Sequence, residues 1–238
     1  MKKRNNKKIL FVLTAVLVLA FLCYGLLKIS KSRTFQFFGG LVSHAETDRK
    51  VVALTFDDAP TAHAIEPLKV LEEKEVKATF FVIGKNIEEN PEIAKQIVKE
   101  GHQLANHSYT HQRLIVKTLS FIEEEIEKTN DLIRDAGYRG EIVFRPPNGK
   151  KMFVLPWYLK QKHIKTIMWD VEPDTYFKND TQKIVDYTIE NTHCGSIILM
   201  HPFCENNCAA DREALPQIID RLKYDGYTFA TVNELLGL

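Results

Sequence analysis

Hydrophobic and polar positions divide the chain into two parts with different patterns. Residues 9–27 contain no charged side chain, whereas from residue 50 onward short apolar runs alternate with stretches in which apolar residues recur every three or four positions. Short apolar or β-branched runs are typical of buried strands, and the wider spacing is typical of helices with one buried face. The pattern therefore predicts an N-terminal apolar helix followed by a domain of alternating strands and helices.

The predicted strands and helices alternate throughout this domain. Strands are predicted over residues 51–56, 78–83, 103–105, 142–144, 165–169, 196–200 and 227–232, and helices over residues 64–73, 91–100, 120–136, 153–162, 181–191 and 211–224. Such alternation is typical of a parallel sheet joined by crossover helices, either open or closed into a barrel. The length fits one such α/β domain of about 200 residues.

The apolar run over residues 9–27 is long enough for a helix to cross the hydrocarbon core of a bilayer. Five Lys or Arg residues precede it and three follow it before residue 34, so the positive-inside rule places the N-terminus in the cytoplasm. A cleaved signal peptide is the alternative, but its small-residue site at Ser43-His44-Ala45 would lie far beyond the run. We therefore predict a single-pass cell-membrane protein with a cytoplasmic segment (1–8), an anchor (9–27), a linker (28–49) and an extracytoplasmic domain (50–238).

The charge of the domain excludes one class of partner. Residues 34–238 carry 24 basic and 31 acidic residues, a formal charge of −7, although the whole chain is at +1. Nucleic-acid binding requires clustered positive charge on the folded part, so no nucleic-acid partner is expected. We expect the domain to act as a monomer.

Polar residues with catalytic or metal-binding chemistry stand directly after the predicted strands. They are Asp57 and Asp58, the segment 107–111, Arg145, Asp170 and His201. Because the C-terminal ends of parallel strands face one common surface, these side chains can converge although they span about 145 positions.

Three of these residues form a candidate metal site. His107 and His111 are four positions apart, a spacing that lets both imidazoles face one ion, and Asp58 would complete a three-ligand catalytic site. A water in the open fourth position would have a lowered pKa, and Asp57 could accept its proton. Each motif alone is more often an exposed turn or helix face, so the prediction depends on their joint position at successive strand ends.

Four motifs resemble, in order and spacing, those of the NodB-type polysaccharide deacetylases, carbohydrate esterase family 4. They are Thr55-Phe56-Asp57-Asp58-Ala59-Pro60, His107-Ser108-Tyr109-Thr110-His111, Arg145-Pro146-Pro147-Asn148-Gly149 and Leu199-Met200-His201. The resemblance covers about residues 50–235. It implies a distorted (β/α) barrel that holds zinc, or alternatively cobalt or nickel, and that removes N-acetyl groups from an amino-sugar polymer.

The resemblance also implies a role for each matching residue. Asp57 would be the base, Asp58, His107 and His111 the metal ligands, and His201 the acid that protonates the leaving amine. Arg145 would hold the base in place and keep it ionised. The backbone N–H of Asn148 would donate to the oxyanion.

Further residues are expected to bind the sugar or to tune the acid. The segment 169–176 resembles a family segment that implies tuning of the acid histidine by Asp174 and lining of the sugar groove by Tyr176. Trp169 and Leu199 are expected to form the acetyl-methyl pocket, with packing in the core as the alternative.

Three cysteines flank His201, at positions 194, 204 and 208. In an oxidising compartment they allow at most one intramolecular disulfide, and the sequence does not choose the pair.

The expected substrate is an N-acetylated cell-wall glycan, with peptidoglycan leading because the domain is tethered where that polymer lies. Chitin oligomers and an exopolysaccharide are alternatives. Two other functions are alternatives: an amidase that cleaves a non-sugar C–N bond on the same scaffold, and a catalytically inactive module that binds the cell wall.

Overall fold

One long helix precedes an alternating series of strands and helices in the structure, a computed structural model that describes residues 2–204 and 208–238. The strands are β1 (Leu41–Val42), β2 (Val51–Ala59), β3 (Thr79–Val82), β4 (Gln103–Asn106), β5 (Thr166–Ile167), β6 (Ile197–Met200) and β7 (Thr228–Ala230). The helices are α1 (Lys2–Ser30), α2 (Ile65–Glu73), α3 (Gly84–Glu89), α4 (Pro91–Lys99), α5 (Leu119–Asp135), α6 (Val154–Gln161), α7 (Asp174–Phe177), α8 (Thr181–Asn191), α9 (Ala209–Tyr224) and α10 (Val232–Leu236).

The parallel strands form a closed, irregular ring. β4, β3, β2 and β6 are neighbours in one sheet, and β7 also pairs with β2. Isolated bridges complete the ring, because Phe144 connects β4 to β5, and Val171, just beyond β5, pairs with Ile198 of β6. The predicted parallel α/β fold is confirmed, and the irregular pairing gives it the form of a distorted barrel.

The strands are buried on both faces, since their apolar side chains alternate between two cores. Residues such as Leu54 and Phe80 belong to the cluster that packs against α2, α4 and α9. Ala53, Phe81 and Leu199 belong to a second cluster built from the other strand faces. Parallel strands that are covered on both faces have continuous apolar runs in the sequence, and these runs are the pattern from which the strands were predicted.

Several elements differ from the prediction. Residues 142–144 form no strand, and only Phe144 pairs, through two isolated bridges to Asn106 and Thr166. Pro146 and Pro147 follow and lack the N–H groups that would extend a ladder. The helices α3, α7 and α10 have four to six residues and are too short to show a helical period in the sequence.

The segment 28–49, predicted as a linker, is packed against the domain over much of its length. Ser30, Ser43 and Ala45 are buried, and Leu41 and Val42 pair in parallel with β5. The backbone N–H of Ala45 donates to Gly195 O at 2.8 Å. The folded unit therefore begins near residue 30, about 20 residues before the predicted boundary.

Helix α1 contains one stretch, Leu13–Ser30, that is long and apolar enough to cross a membrane. Large apolar side chains on it, such as Phe11 at 76% and Phe21 at 77%, are exposed. By its length and composition this helix could be a membrane span or a signal sequence.

Candidate active site

The two adjacent aspartates lie at the end of β2, where the strand becomes irregular. Successive side chains of a regular strand point to opposite faces, which would separate the two carboxylates. The pairing of β2 with β3 shifts register between Phe56 and Ala59, and Asp58 has a left-handed φ of 66°. This bulge turns both carboxylates toward His107, whose Nε2 lies 3.4 Å from Asp57 Oδ2 and 3.8 Å from Asp58 Oδ1.

The two histidines are brought together by a tight turn after β4. Ser108 and His111 have left-handed φ values of 66° and 57°, so residues 107–111 form a compact loop. The buried carboxylate of Glu125, on α5, accepts hydrogen bonds from the backbone N–H groups of Tyr109 and Thr110. Glu125 therefore holds the histidine loop, although no sequence motif pointed to it.

The residues present fit a divalent metal ion. Ligand atoms of Asp58, His107 and His111 all lie within 4.8 Å of one another. His107 Nδ1 donates to Arg145 O at 2.7 Å, which leaves the lone pair of Nε2 directed at carboxylate oxygens. Asp58 Oδ1 is buried and has no hydrogen-bond partner among the described residues. Lone pairs that face each other in this way suit a divalent cation between them.

Arg145 is fully buried beside Asp57. Its guanidinium donates to Asp57 Oδ1 at 2.7 Å, to Thr55 Oγ1 at 3.0 Å and to Met168 O at 3.1 Å. Burial alone would raise the pKa of Asp57, but the charges of Arg145, His107 and His201 outweigh it and hold that pKa below the ordinary value. Asp57 is thus an ionised carboxylate at neutral pH.

His201, at the end of β6, is paired with Asp174 at the start of α7. His201 Nδ1 donates to Asp174 Oδ2 at 2.8 Å, and the same oxygen accepts the backbone N–H of His201 at 2.7 Å. Burial lowers the pKa of His201, but the hydrogen bond and charge of Asp174, followed by the charges of Asp57 and Asp58, raise it to about 10. The imidazole is therefore protonated at neutral pH.

These groups surround a cavity of about 310 Å³. It is lined by Asp57, Asp58, His107, His111, Asn148, Trp169, Glu172, Thr175, Leu199 and His201. Asn148 lies in a short 3₁₀ turn with a φ of 55°, and the next residue, Gly149, has a φ of 65°. A Cβ on Gly149 would lie 2.9 Å from the Trp169 ring, so glycine permits the ring to pack against this turn.

The cavity includes most, but not all, of the residues expected from the sequence. Tyr176 lies outside it, is 60% exposed and has its ring near Phe177 and Tyr187, so its place in a sugar groove stays a prediction. Asp174 lines a neighbouring cavity that shares Asp58 and His201. Glu172 and Thr175 line the cavity although no motif assigned them.

The cysteine pair left open by the sequence is resolved. Cys204 and Cys208 form a disulfide in the loop that follows His201, and Cys194 is a free thiol.

A three-ligand metal site beside an ionised buried carboxylate and a protonated histidine, at the strand ends of a parallel α/β barrel, is the arrangement of a metal-dependent hydrolase. The model of the polysaccharide deacetylase family matches residues 44–167, and the chain belongs to that family.

Known proteins of the family are similar over most of this chain. The peptidoglycan-N-acetylmuramic acid deacetylase PdaA of Bacillus subtilis is 31% identical over 80% of this chain and 73% of its own length. A bifunctional xylanase/deacetylase of Pseudobutyrivibrio xylanivorans is 36% identical over 80% of this chain, which spans only 31% of that protein. The crystal structure of the Bc1960 peptidoglycan N-acetylglucosamine deacetylase superimposes with a TM-score of 0.77, at 29% identity, over 81% of this chain and 91% of that one.

Proposed function

We propose that this protein is a metal-dependent N-deacetylase that hydrolyses acetamido groups on the amino sugars of cell-wall peptidoglycan. The observation that carries the proposal is that a deprotonated carboxylate and a protonated imidazole both lie beside one metal site. Asp57 is kept ionised by Arg145, His201 is kept protonated by Asp174, and both line the same cavity as the Asp58–His107–His111 cluster. Hydrolysis of an amide needs one group that accepts a proton and one that donates a proton.

Each step of the reaction is assigned to a residue of this chain. A divalent ion bound by Asp58, His107 and His111 would lower the pKa of a water molecule and polarise the acetamido carbonyl. Asp57 accepts the proton that the attacking water loses. The backbone N–H of Asn148 is the assigned donor to the carbonyl oxygen as negative charge develops.

The C–N bond then breaks with the help of His201. The protonated imidazole donates its Nε2 proton to the departing nitrogen, so the products are acetate and a free amine. Asp174 holds the imidazole in the required orientation through Nδ1. Trp169 and Leu199, both in the cavity lining, offer apolar surface to the acetyl methyl group.

Zinc is the proposed metal, because two imidazoles and one carboxylate suit zinc, with cobalt and nickel as chemically similar alternatives. Peptidoglycan is the proposed substrate because PdaA and the Bc1960 enzyme are both named as peptidoglycan deacetylases. One of them is named for N-acetylmuramic acid and the other for N-acetylglucosamine, so both sugars belong in the test.

The proposed location is the outer face of the cell membrane, with residues 9–27 as an uncleaved anchor and residues 1–8 in the cytoplasm. Two observations support an uncleaved chain. Ala45, at the alternative cleavage site, is buried, and His44 forms a bridge with Ser196. Cleavage after Ala45 would also remove strand β1, which pairs with β5.

The function is tested by acetate release from the full chain purified in detergent. The substrates are N-acetylated peptidoglycan, an N-acetylated chitin tetramer and an acetylated peptide, each with and without a metal chelator. We expect chelator-sensitive acetate release from peptidoglycan. Release from the chitin tetramer alone would change the substrate, release from the peptide would indicate an amidase, and glycan binding without release would indicate a binding module.

A further inference from the structure

The segment that follows helix α1 contacts the wall of the catalytic cavity. Ser30, the last residue of α1, is buried, and its carbonyl accepts the backbone N–H of Lys151 at 3.0 Å. Lys151 Nζ, itself on a buried side chain, donates to Ser32 O. These contacts place residue 33 directly beside the cavity wall.

Arg33 contacts two residues of that wall at once. Its guanidinium lies over the Trp169 ring, 4.8 Å from the centroid, and forms an ion pair with Glu172. The Glu172 side chain is only 9% exposed, whereas that of Arg33 is 33% exposed. Since Trp169 and Glu172 both line the cavity, Arg33 supports it from outside.

Glu172 connects the residues of this wall. Its Oε2 accepts from Trp169 Nε1 at 2.9 Å, and its Oε1 accepts from Thr175 Oγ1 at 2.8 Å. Both donors are neutral, so Arg33 is the cation in direct contact with this nearly buried carboxylate. Without Arg33, the Glu172 carboxylate would be favoured in a position closer to solvent. The Trp169 indole would then lose the acceptor of its N–H group, and it would also lose the Arg33 cation on its face.

Arg33 lies before the residues matched by the family model, which begin at residue 44. Its contacts come from the segment between helix α1 and the residues that the family model matches. Because α1 ends three residues earlier, the same short stretch both leaves the proposed anchor and supports the cavity.

We propose that Arg33 is a positioning residue that holds Trp169 and Glu172 in the wall of the catalytic cavity, so that the segment after helix α1 is part of the catalytic unit. The inference rests on the proposed deacetylase function for its kinetic readout but not for its structural one. Arg33 touches neither the metal ligands nor the residues assigned to proton transfer. Its loss should therefore weaken sugar binding more than it slows the chemical step.

The test compares Arg33→Gln, Arg33→Lys and the control Arg49→Gln in the full chain in detergent. Arg49 is an exposed arginine for which no side-chain ion pair is found among the described residues. For Arg33→Gln we expect KM to rise about five- to tenfold, which is about 1.0 to 1.4 kcal/mol, with kcat within threefold and metal content unchanged. Arg33→Lys should recover part of the loss, because it keeps the charge but not the planar stacking.

Two further measurements separate positioning from a general structural effect. In a Trp157→Phe background Trp169 is the only indole, so Arg33→Gln should shift its fluorescence emission, and Arg49→Gln should not. In a Glu172→Gln background, Arg33→Gln should raise KM less than it does in the wild type, because the ion pair is already gone and only the contact with the Trp169 ring remains to be lost.

An unchanged KM and unchanged emission in Arg33→Gln would overturn the proposal, as would equal effects in Arg49→Gln. If the wild type releases no acetate, the proposed function fails. The role of Arg33 is then still decided by the emission shift and by the affinity for an N-acetylated chitin tetramer, measured by quenching of Trp169 fluorescence.

Discussion

Replacing Arg145 by methionine should destabilise the fold and raise the pKa of Asp57 together. The substitution keeps much of the volume but removes a guanidinium that donates to Asp57, Thr55 and two backbone carbonyls. Removing one partner of a buried ion pair lowers the free energy of unfolding by about 3 to 5 kcal/mol, since the remaining charge stays buried without a partner. At about 2 to 4 °C per kcal/mol for a domain of this size, Tm should fall by roughly 6 to 20 °C.

The pH dependence gives the sign of the effect. The folded-state pKa of Asp57 lies below its ordinary value of 3.8, so its ionisation stabilises the fold above that pH, and this stabilisation is lost as the pH falls through the lowered pKa. In Arg145→Met burial is no longer opposed by the guanidinium. The acidic limb of acetate release should therefore move to higher pH, and the stability difference between the wild type and the variant should grow as the pH rises through the raised pKa of Asp57.

Thermal unfolding and pH profiles of acetate release check this, with Arg139→Met as the matched control. Arg139 is exposed and, among the described residues, donates only to the backbone carbonyls of Arg134 and Tyr138, so its loss should cost less than about 0.5 kcal/mol. A wild-type Tm together with a wild-type acidic limb in Arg145→Met would refute the reasoning.

Three further predictions concern other parts of the molecule. Asp174→Asn should lower the pKa of His201 from about 10, so the alkaline limb of kcat/KM should move to lower pH; an unmoved limb would count against the assigned acid. Asp211→Asn should raise Tm by a few degrees at pH 8 but not at pH 4, because burial and then Asp174 raise the pKa of Asp211 to about 7, and ionisation in the folded state costs stability as pH rises from about 4 to 7. Melting curves at the two pH values measure this, and equal gains would contradict it. The protein should stay with membranes after carbonate washing, and recovery as a soluble chain starting after Ala45 would show that the anchor is cleaved.

The sequence was sufficient to predict the strand-end residues because parallel strands bring their C-terminal ends to one surface whatever the details of the barrel. The same rule could not predict Glu125, Glu172 or Arg33. Glu125 contacts a loop about 15 residues earlier and Arg33 contacts Glu172 across 139 positions, while Glu172 bonds to near neighbours that belong to no periodic pattern. The position of Tyr176 was equally out of reach, because the four-residue helix α7 directs Asp174 to His201 and leaves Tyr176 exposed outside the cavity.

The linker prediction failed to anticipate packing for a similar reason. Residues 28–49 show no clear period, yet β1 needs only Leu41 and Val42 to pair with β5, and two residues are too few to produce an alternation. The bulge at Asp58 is equally invisible in the sequence, although it decides that both aspartates face the histidines.

The measurement that tests the central claim most directly is metal content beside acetate release in Asp57→Asn and Asp58→Asn. Asp58 Oδ1 lies 3.4 Å from His111 Nε2 and has no hydrogen-bond partner among the described residues, whereas Asp57 is already paired with Arg145. Asp58→Asn should therefore lose its metal. Asp57→Asn should keep its metal while kcat falls by about 10² to 10⁴, because the amide cannot accept a proton from water. Metal loss in Asp57→Asn with retention in Asp58→Asn would contradict the assignment of the two carboxylates.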